Sequence, residues 1–464
     1  MPAQEIPFIG GAYTTRSKNL NAQVCQNLYP EMDSTGGKSV LSLRGTPGFI
    51  LWTDTGDGRE IRNWILFSDD IIAVIGNTVY QITLGKVSNS IGTIGTATGW
   101  VDLNNDGIYV SIFDSTGGWT WDGGTFAAIA DGDLPTPSSS TYQDGYHIVV
   151  REDTDEIYIS AQDDPTSWDA TDFATAEGAG DKLVVTRSIQ RQLWLIGEKT
   201  TEIWYNSGES FPFTRNPGGF INIGCSAKRS VATIESHILW LDDRFRVVMN
   251  AGLQITPVST YQIEYQISLL DHKEDAVGFC YYQEGHFFYV LSINNKTLCY
   301  DISTGLWHTR ASGGNDLREL ANCAIQFDNK VLVGDYENGK IYEYSLDAYD
   351  DAGITKRAIR ASQVINNNQQ RIFFNSLQLD METGIGLAVG TGSDPQIMLD
   401  YSNDSGHTWC SARWGSLGKV GEYETRVKWN RLGSARNRIF RVTISDPVKR
   451  YIFGAYLDGV AGNG

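Results

Sequence analysis

Long apolar runs are absent from this sequence of 464 residues. The longest, Ile71 to Gly76, is far too short to cross a bilayer. No charged segment followed by an apolar one opens the chain, as a secretory signal would. We therefore expect no membrane insertion by this chain and its assembly in a cytoplasm.

Positive charge is scarce, because 37 Lys and Arg face 55 Asp and Glu, a formal net charge of −18. A protein that grips nucleic acid through its phosphates needs clustered basic residues, so this balance argues against that class. The charge is uneven. Residues 411–464 hold ten basic and four acidic residues, net +6, which leaves −24 for residues 1–410. The C-terminal segment is therefore a candidate for docking on an acidic surface, and a solvated sheet face is the alternative.

Paired metal-ligand and redox motifs are also missing. The six cysteines form no C-x-x-C pair, and the six histidines form no H-x-x-x-H or H-x-H pair. We interpret the cysteines as reduced core residues and expect neither a metal nor a cofactor. The cysteines are Cys25, Cys225, Cys280, Cys299, Cys323 and Cys410.

Glycine and large aromatic residues are plentiful, with 49 Gly, 22 Tyr and 13 Trp against only 5 Met. This composition favours strands and tight turns over helices. From about residue 60 to 349 a strand, turn and strand unit recurs every 36 to 49 residues, as at Ile71 to Ile82 and Lys330 to Ser345. Such a period is typical of propeller blades. The sequence predicts an all-β protein whose residues 51–349 form an irregular β-propeller of six or seven blades.

The pattern changes near residue 350, where an acidic turn precedes a basic stretch. About six further strands follow, which is the size of a β-sandwich, so we predict a C-terminal β-sandwich over residues 350–464. The first 50 residues have little periodicity. We predict that they form an N-terminal arm, running over the surface or onto a neighbouring subunit, and a first strand.

The segment SNDSGHTW fits the S-x-D-x-G-x-T-W pattern of the Asp-box, a turn found in sialidases and other carbohydrate-associated β proteins. Its residues are Ser402, Asp404, Gly406 and Trp409. We interpret it as a folding element, in which the aspartate accepts backbone N–H groups and the tryptophan packs on the next strand. The alternative is a carbohydrate-binding or sialidase-like propeller, for which Trp119, Trp121 and Trp409 are candidate exposed aromatics.

A basic run near the C-terminus is the main candidate for a binding surface. Alternation of side chains along strands predicts a basic ribbon of two strands, with Arg426 and Lys428 on one face of the first strand. We favour contact with an acidic neighbouring subunit, and leave open DNA contact or edge charges that block aggregation. The run consists of Arg426, Lys428, Arg431, Arg436, Arg438 and Arg441.

Several segments resemble one known family. They include TEIWY at Thr201 to Tyr205, FPF at Phe211 to Phe213, IGC at Ile223 to Cys225 and PVSTYQIE at Pro257 to Glu264. The opening MPAQEIPFIGGAY, LRGTPGF at Leu41 to Phe49 and the stretch from Glu424 to Pro447 are similar to the same family. That family is the packaged-DNA stabilisation proteins, also called tail hub or nozzle proteins, of short-tailed bacteriophages.

The resemblance implies a structural protein of the virion tail, without catalytic residues and assembled in the host cytoplasm. It implies a ring of six copies that closes the portal and adaptor channel and retains packaged DNA until ejection. It also implies contacts with the adaptor or portal ring, a tail needle or plug, and tailspikes or fibres. DNA would pass through the acidic lumen without specific binding.

Overall fold

The computed structural model describes residues 3–33, 35 and 39–462, and almost all of its regular structure is β-strand. The all-β prediction is confirmed. One α-helix, α1 (Tyr261–Ser268), and two short 3-10 helices, Lys228–Ser230 and Lys273–Asp275, complete the regular structure of the described residues. Thr260 caps α1, since its side chain accepts a hydrogen bond from the backbone N–H of Ile263. None of the helices in this part of the chain has the length and apolar composition that a membrane crossing requires.

Five short strands precede the propeller in the part of this segment that the structure describes. They are β1 (Gln4–Ile6), β2 (Tyr13–Thr14), β3 (Ala22–Gln26), β4 (Leu28–Met32) and β5 (Leu41–Gly45).

The propeller region contains twenty-eight strands among the described residues. They are β6 (Gly48–Asp54), β7 (Ile61–Phe67), β8 (Asp70–Ile75), β9 (Thr78–Ile82), β10 (Ser88–Thr93), β11 (Asp102–Asn105), β12 (Val110–Asp114), β13 (Gly117–Trp121), β14 (Phe126–Ala128), β15 (Pro137–Gln143), β16 (Tyr146–Arg151), β17 (Glu156–Ala161), β18 (Asp164–Thr175), β19 (Leu183–Ile189), β20 (Gln192–Gly197), β21 (Thr201–Asn206), β22 (Phe213–Ile221), β23 (Ala232–Ile234), β24 (His237–Leu241), β25 (Val247–Ala251), β26 (Gln254–Pro257), β27 (Val277–Gln283), β28 (His286–Ile293), β29 (Lys296–Asp301), β30 (Leu306–Arg310), β31 (Ala321–Phe327), β32 (Lys330–Asp335) and β33 (Lys340–Ser345).

The C-terminal region adds a further group of strands. They are β34 (Ala358–Ala361), β35 (Ile365–Asn366), β36 (Ile372–Met381), β37 (Gln396–Ser402), β38 (Arg413–Ser416), β39 (Val427–Asn430), β40 (Ser434–Ala435), β41 (Asn437–Ile444) and β42 (Tyr451–Ala461).

The predicted propeller of six or seven blades is confirmed. Among the described residues six four-stranded antiparallel sheets stand alone, and a seventh four-stranded meander continues into a larger sheet. In ring order we number them blade 1 (β7–β10), blade 2 (β11–β14), blade 3 (β15–β18), blade 4 (β19–β22), blade 5 (β23–β26), blade 6 (the meander β27–β30) and blade 7 (β31–β33 with β6). The first strand of each blade lies innermost and contacts the first strands of its neighbours; between blades 4 and 5, β19 shares a core cluster with β24 and β25.

Strands inside a blade are apolar on both faces because each face packs on a different neighbour. In β8 all five residues from Ile71 to Ile75 are fully buried. Three of their side chains pack against blade 7, and the two between them pack against blade 2. A short continuous apolar run is the sequence signature of such a strand.

The ring closes through a strand from the other end of the chain. β6 pairs with β33 in antiparallel register, with Asp54 opposite Lys340. At Gly48 a Cβ atom would lie 2.5 Å from the carbonyl oxygens of both Ala348 and Asp350. Only glycine allows this approach of the backbones, which brings the closing strand into place.

The C-terminal domain is a β-sandwich. The first sandwich sheet has the order β39-β36-β42-β5-β4, with β1 on β42 and β40 on β36. The second has the order β3-β34-β41-β37-β38, with β2 on β3 and β35 on β41. Leu377, Trp429 and Leu457 of the first sheet pack in one core with Phe440 and Val442 of the second.

The structure differs from the prediction of a surface arm at the N-terminus. Strands β1, β4 and β5 belong to the first sandwich sheet, and β2 and β3 belong to the second. Cys25, Leu28 and Leu43 are fully or almost fully buried in the sandwich core. Short strands interrupted by turns leave too few residues for a visible period, which explains the missed assignment. Residues 34 and 36–38 of this segment lie outside the described residues.

Propeller and sandwich are joined through Asn27. The second sandwich sheet continues into blade 6, because β3 runs parallel to β30 at Gln26 and Thr309. The buried Asn27 amide donates to the carbonyl oxygens of Ala311, at 2.9 Å, and Arg357, at 2.8 Å. Its side-chain oxygen accepts the N–H of Ala311 at 3.0 Å. This asparagine ties the end of blade 6 to the start of the sandwich.

Candidate subunit interface

The Asp-box forms the turn between β37 and β38. Asp404 accepts the backbone N–H of His407 at 3.1 Å, the N–H of Thr408 at 2.8 Å and the Thr408 hydroxyl at 2.5 Å. Ser402 donates to the same carboxylate at 2.7 Å and accepts the N–H of Gly406 at 2.7 Å. The Thr408 hydroxyl and the backbone N–H groups hold the pKa of Asp404 well below its ordinary value. The carboxylate is fully used in shaping the turn.

Arg441 joins this turn to the sheet beneath it. Its guanidinium lies 3.9 Å from the ring centroid of Trp409. It also forms an ion pair with Asp400, which is its cross-strand partner on β37. The predicted binding residue therefore supports the Asp-box tryptophan, which packs beside Ile439.

Arg438 lies in the interior of the sandwich. Its guanidinium lies 4.2 Å from the ring centroid of Phe374 and 4.1 Å from that of Tyr401. It donates to the Asn403 side chain at 2.8 Å and to the carbonyl oxygen of Leu432 at 2.6 Å. Burial lowers its pKa to about 10. In this chain Arg438 is 1% exposed and has no surface to offer a partner.

The predicted basic ribbon of two strands is not formed. β39 pairs with β36 in the first sandwich sheet, whereas β41 pairs with β34, β35 and β37 in the second. The chain turns away at Arg431, whose backbone has a φ of 57°. The two strands that follow each other in sequence therefore lie in different sheets.

Four of the six basic residues do share one surface, the basic edge. Arg426, Lys428, Arg431 and Arg436 are exposed and lie on or beside β39 and β40, which form the edge of the first sandwich sheet next to β36. None of the four forms an ion pair with a described residue. β39 and β40 together follow β36 from Ile372 to Leu379, so this edge extends over about 25 Å. The edge therefore carries four exposed positive charges.

The propeller also has an acidic surface that was not predicted from the sequence. Residues 137–181, which include blade 3, hold eleven Asp and Glu and one Arg, net −10, more than half of the excess negative charge of the chain. The outermost strand of this blade, β18, is an edge strand with exposed Asp169 and Asp172. We call β18 with these two side chains the acidic edge. Local charge counts along the predicted blades could have found it.

The basic and acidic edges lie on opposite sides of the propeller axis. The sandwich joins blade 6 through β3 and follows blade 7 in the chain. In the ring of seven, blade 3 is three blades from each of them. The sandwich that carries the basic edge is therefore attached across the ring from the acidic edge.

Aromatic side chains proposed for sugar binding are not available. Trp121 is 3% exposed and packs on Phe67, and Trp119 belongs to the same cluster between blades 1 and 2. Trp409 is covered by Arg441. The prediction of exposed rings at these positions is wrong, because Trp119 and Trp121 share the face of β13 that packs between blades 1 and 2, and Trp409 is half-buried beside Arg441.

Ser111, His147 and Asp106 form a chain of hydrogen bonds like that of a serine hydrolase. Both ring nitrogens of His147 are used, at 2.9 Å from the Ser111 hydroxyl and 2.9 Å from the Asp106 carboxylate. Burial opposes ionisation of Asp106, but hydrogen bonds from His147 and from two backbone N–H groups lower its pKa. Ser111 is fully buried between blades, so no substrate carbonyl can reach its hydroxyl. The network joins blade 2 to blade 3.

Groups that could hold a metal are exposed. Among the described residues, His272, Glu274 and Asp275 are the one set whose ligand atoms lie close enough to share an ion. All six cysteines are unpaired, four of them are buried, and burial raises the pKa of Cys25 to about 11. Such thiols are weak nucleophiles at neutral pH.

Comparison with known proteins identifies the family. The family model described as "Bacteriophage P22 Gp10, beta-propeller" matches residues 4–349, and "Bacteriophage P22 Gp10, beta-sandwich" matches residues 357–459. No curated protein matches the chain.

Solved structures give only weak likenesses. The WD40 propeller domain of Doa1 covers 64% of this chain and 97% of its own, with 10% identity and a TM-score of 0.42. BamB from Moraxella catarrhalis covers 65% and 97%, with 9% identity and a TM-score of 0.40. These scores add nothing to the assignment. Since the two family matches cover nearly the whole chain, with the two folds observed here, the protein belongs to the family of bacteriophage P22 Gp10, a family of structural tail hub proteins of the phage virion.

Proposed function

We propose that copies of this protein associate head to tail, with the basic edge of one on the acidic edge of the next, and so form the ring that closes the tail channel. The ring retains packaged DNA until ejection and performs no catalysis. The observation that carries this proposal is the placement of two oppositely charged edges across the propeller axis from each other. Family membership supplies the setting in the tail of a short-tailed phage.

Opposite surfaces on opposite sides of one molecule favour a closed ring. A head-to-tail contact uses two different surfaces, and repeating it produces a ring when the rotation closes. The unpaired cations along β39 and β40 and the surplus of carboxylates on blade 3 would neutralise each other in every contact. Six copies, bound to the adaptor or portal ring, a needle or plug, and tailspikes or fibres, are the arrangement that we propose from the family.

The acidic balance of the chain suits a passage for DNA. With 55 acidic and 37 basic residues, the average surface repels phosphates, and screening confines that repulsion to about 10 Å at moderate salt. DNA can then slide through a ring of such subunits without adhering. Retention would come from closure of the channel below the DNA rather than from binding.

A particle assay tests retention. DNA-filled particles assembled without this chain are incubated with purified protein, and nuclease protection of the DNA is measured. We expect protection to rise with the number of bound copies. Particles that keep their DNA equally well without the protein would refute the retention role.

Charge reversal tests the head-to-tail contact in the same particle assay, where weaker ring assembly would give weaker nuclease protection of the DNA. The double variant Arg426→Glu with Lys428→Glu should weaken ring assembly at least about tenfold, equivalent to about 1.4 kcal/mol. The variant Asp169→Lys with Asp172→Lys should do the same, and combining all four changes should restore assembly. Lys296→Glu, at an exposed turn of blade 6, is the matched control. Failure of the combined variant to recover would exclude this pairing without affecting the retention test.

A further inference from the structure

A cavity of about 270 Å³ lies on the propeller axis. The innermost strands of blades 1, 2, 5, 6 and 7, Arg187 of blade 4 and the 3-10 helix before blade 5 line it. Water occupies about 30 Å³ per molecule, so the space holds a small polyatomic ion with part of its hydration. Its charged lining residues are Arg62, Asp102, Arg187, Lys228 and Arg229.

The cavity carries an excess of positive charge although the chain as a whole is acidic. Four cations line it against one carboxylate, Asp102, and a second carboxylate, Glu60, pairs with Arg229. Asp102 is already bound by Arg187, with the two atom pairs at 2.9 and 3.3 Å. Arg62 and Lys228 are therefore left without an ion-pair partner among the residues that the structure describes.

Arg62 contributes charge without needing an acidic partner. It is 4% exposed, and its guanidinium donates to a cage of backbone carbonyl oxygens and one hydroxyl, with no carboxylate among them. The oxygens belong to Gly76, Thr96, Thr98, Gly99 and Trp100. The cage fixes a positive charge permanently beside the cavity.

Lys228 offers free donors at this site. Its ammonium donates to the carbonyl oxygen of Ser138 at 2.6 Å and lies 4.6 Å from the ring centroid of Trp100. An ammonium has three N–H groups, so two remain for a ligand. Burial, with the charge of Arg187 as a further cause, lowers the pKa of Lys228 to about 8. A bound anion would offset both the burial of the ammonium charge and its repulsion by Arg187.

We propose that the axial cavity binds a small tetrahedral oxyanion, free phosphate in particular, held by Lys228 with Arg187 and Arg229. Ammonium and guanidinium groups together provide the charge-assisted hydrogen bonds that phosphate oxygens accept. The ion would bind at once to the innermost strand of blade 4 and to the 3-10 helix before blade 5, and so stabilise the closed ring of blades. The site is independent of the contact between subunits.

Titration with phosphate tests this site on the full chain. Calorimetric binding and thermal unfolding are measured with sodium phosphate and with sodium chloride at equal ionic strength, at pH 7. We expect saturable binding and a rise in Tm with phosphate alone. An equal rise in chloride, or no binding of phosphate, would overturn the proposal.

Variants at Lys228 separate the site from general charge effects. Lys228→Met should weaken phosphate at least tenfold, Lys228→Arg should retain it, and Lys296→Met at the exposed turn should leave it unchanged. Lys228→Met removes an unfavourably buried charge and is expected to fold, which circular dichroism would verify. An unchanged phosphate affinity in Lys228→Met contradicts the proposal. So does stabilisation by a 5′-phosphorylated oligonucleotide without any effect of inorganic phosphate.

Discussion

Replacing Lys228 by methionine should stabilise the protein in phosphate-free buffer at neutral pH. The pKa of Lys228 falls from its ordinary 10.5 to about 8 because the ammonium is buried near Arg187. At about 1.4 kcal/mol per unit, the folded state carries a cost of about 3 kcal/mol while this lysine is charged. Methionine loses the hydrogen bond to Ser138, worth about 1 kcal/mol, and the contact with Trp100, worth about 0.5 kcal/mol. The expected net gain is about 1 to 2 kcal/mol.

The pH dependence identifies the cause. Between pH 8 and 10.5 the unfolded chain binds more protons at Lys228 than the folded protein does, so the free energy of unfolding of the wild type rises with pH. In Lys228→Met the free energy of unfolding lacks this contribution to its rise with pH. It should be the more stable protein below pH 8 and lose its advantage as the pH approaches 10.5, where the wild type keeps its hydrogen bond to Ser138.

Thermal unfolding of both proteins across this pH range is the assay. An unfolding entropy of about 2.1 cal/mol/K per residue converts the gain into a rise in Tm of about 1 to 2 °C for 464 residues. Lys296→Met, at the exposed turn, should unfold like the wild type. A variant that is less stable than the wild type at pH 7, or a difference that does not change with pH, would refute the account of a penalised buried charge.

Three further predictions concern the Asp-box turn, the core of the sandwich and the serine network. Asp404→Asn should speed hydrogen exchange of the turn amides at pH 7. In the wild type the turn should keep its full protection above the ordinary carboxyl pKa and lose it as the pH falls from there through the lowered pKa of Asp404 in the folded protein. Arg438→Ala should lower the free energy of unfolding by about 3 kcal/mol, since it leaves a cavity between aromatic rings, whereas the exposed Arg436→Ala should change it by less than about 0.5 kcal/mol in denaturant titration. A fluorophosphonate probe should not label Ser111 in the folded protein, and labelling detected by mass spectrometry would contradict its structural role.

The blades were predictable because their signals are local. A hairpin needs a turn residue and two flanking apolar runs, all within about fifteen residues, as in the Asn105 to Gly107 turn before β12. The closing strand β6 has no such signal. Its partner β33 lies almost 300 residues further along the chain, and β-strand propensity does not name a partner.

Side-chain parity contains the information that the prediction of a basic ribbon overlooked. Arg438 lies on the same face of β41 as Phe440, Val442 and Ile444, and all four are buried on the inner face of that strand. Lys428 lies on the opposite face of β39 from its buried neighbours Val427 and Trp429, and it is exposed. The period of two therefore separates these basic residues correctly once each strand is treated alone. What it cannot supply is the sheet to which each strand belongs.

A rigid joint between propeller and sandwich is what makes the separation of charge useful. Lys356 is fully buried there, donates to the carbonyl oxygen of Pro47 at 2.8 Å and lies 3.2 Å from Asp351. Breaking such a buried pair costs several kcal/mol, so the two domains cannot swing freely about this point. The basic edge is consequently held at a fixed angle to blade 3. A fixed angle between the two contacting surfaces sets the rotation per subunit, and with it the number of copies at which a head-to-tail ring closes.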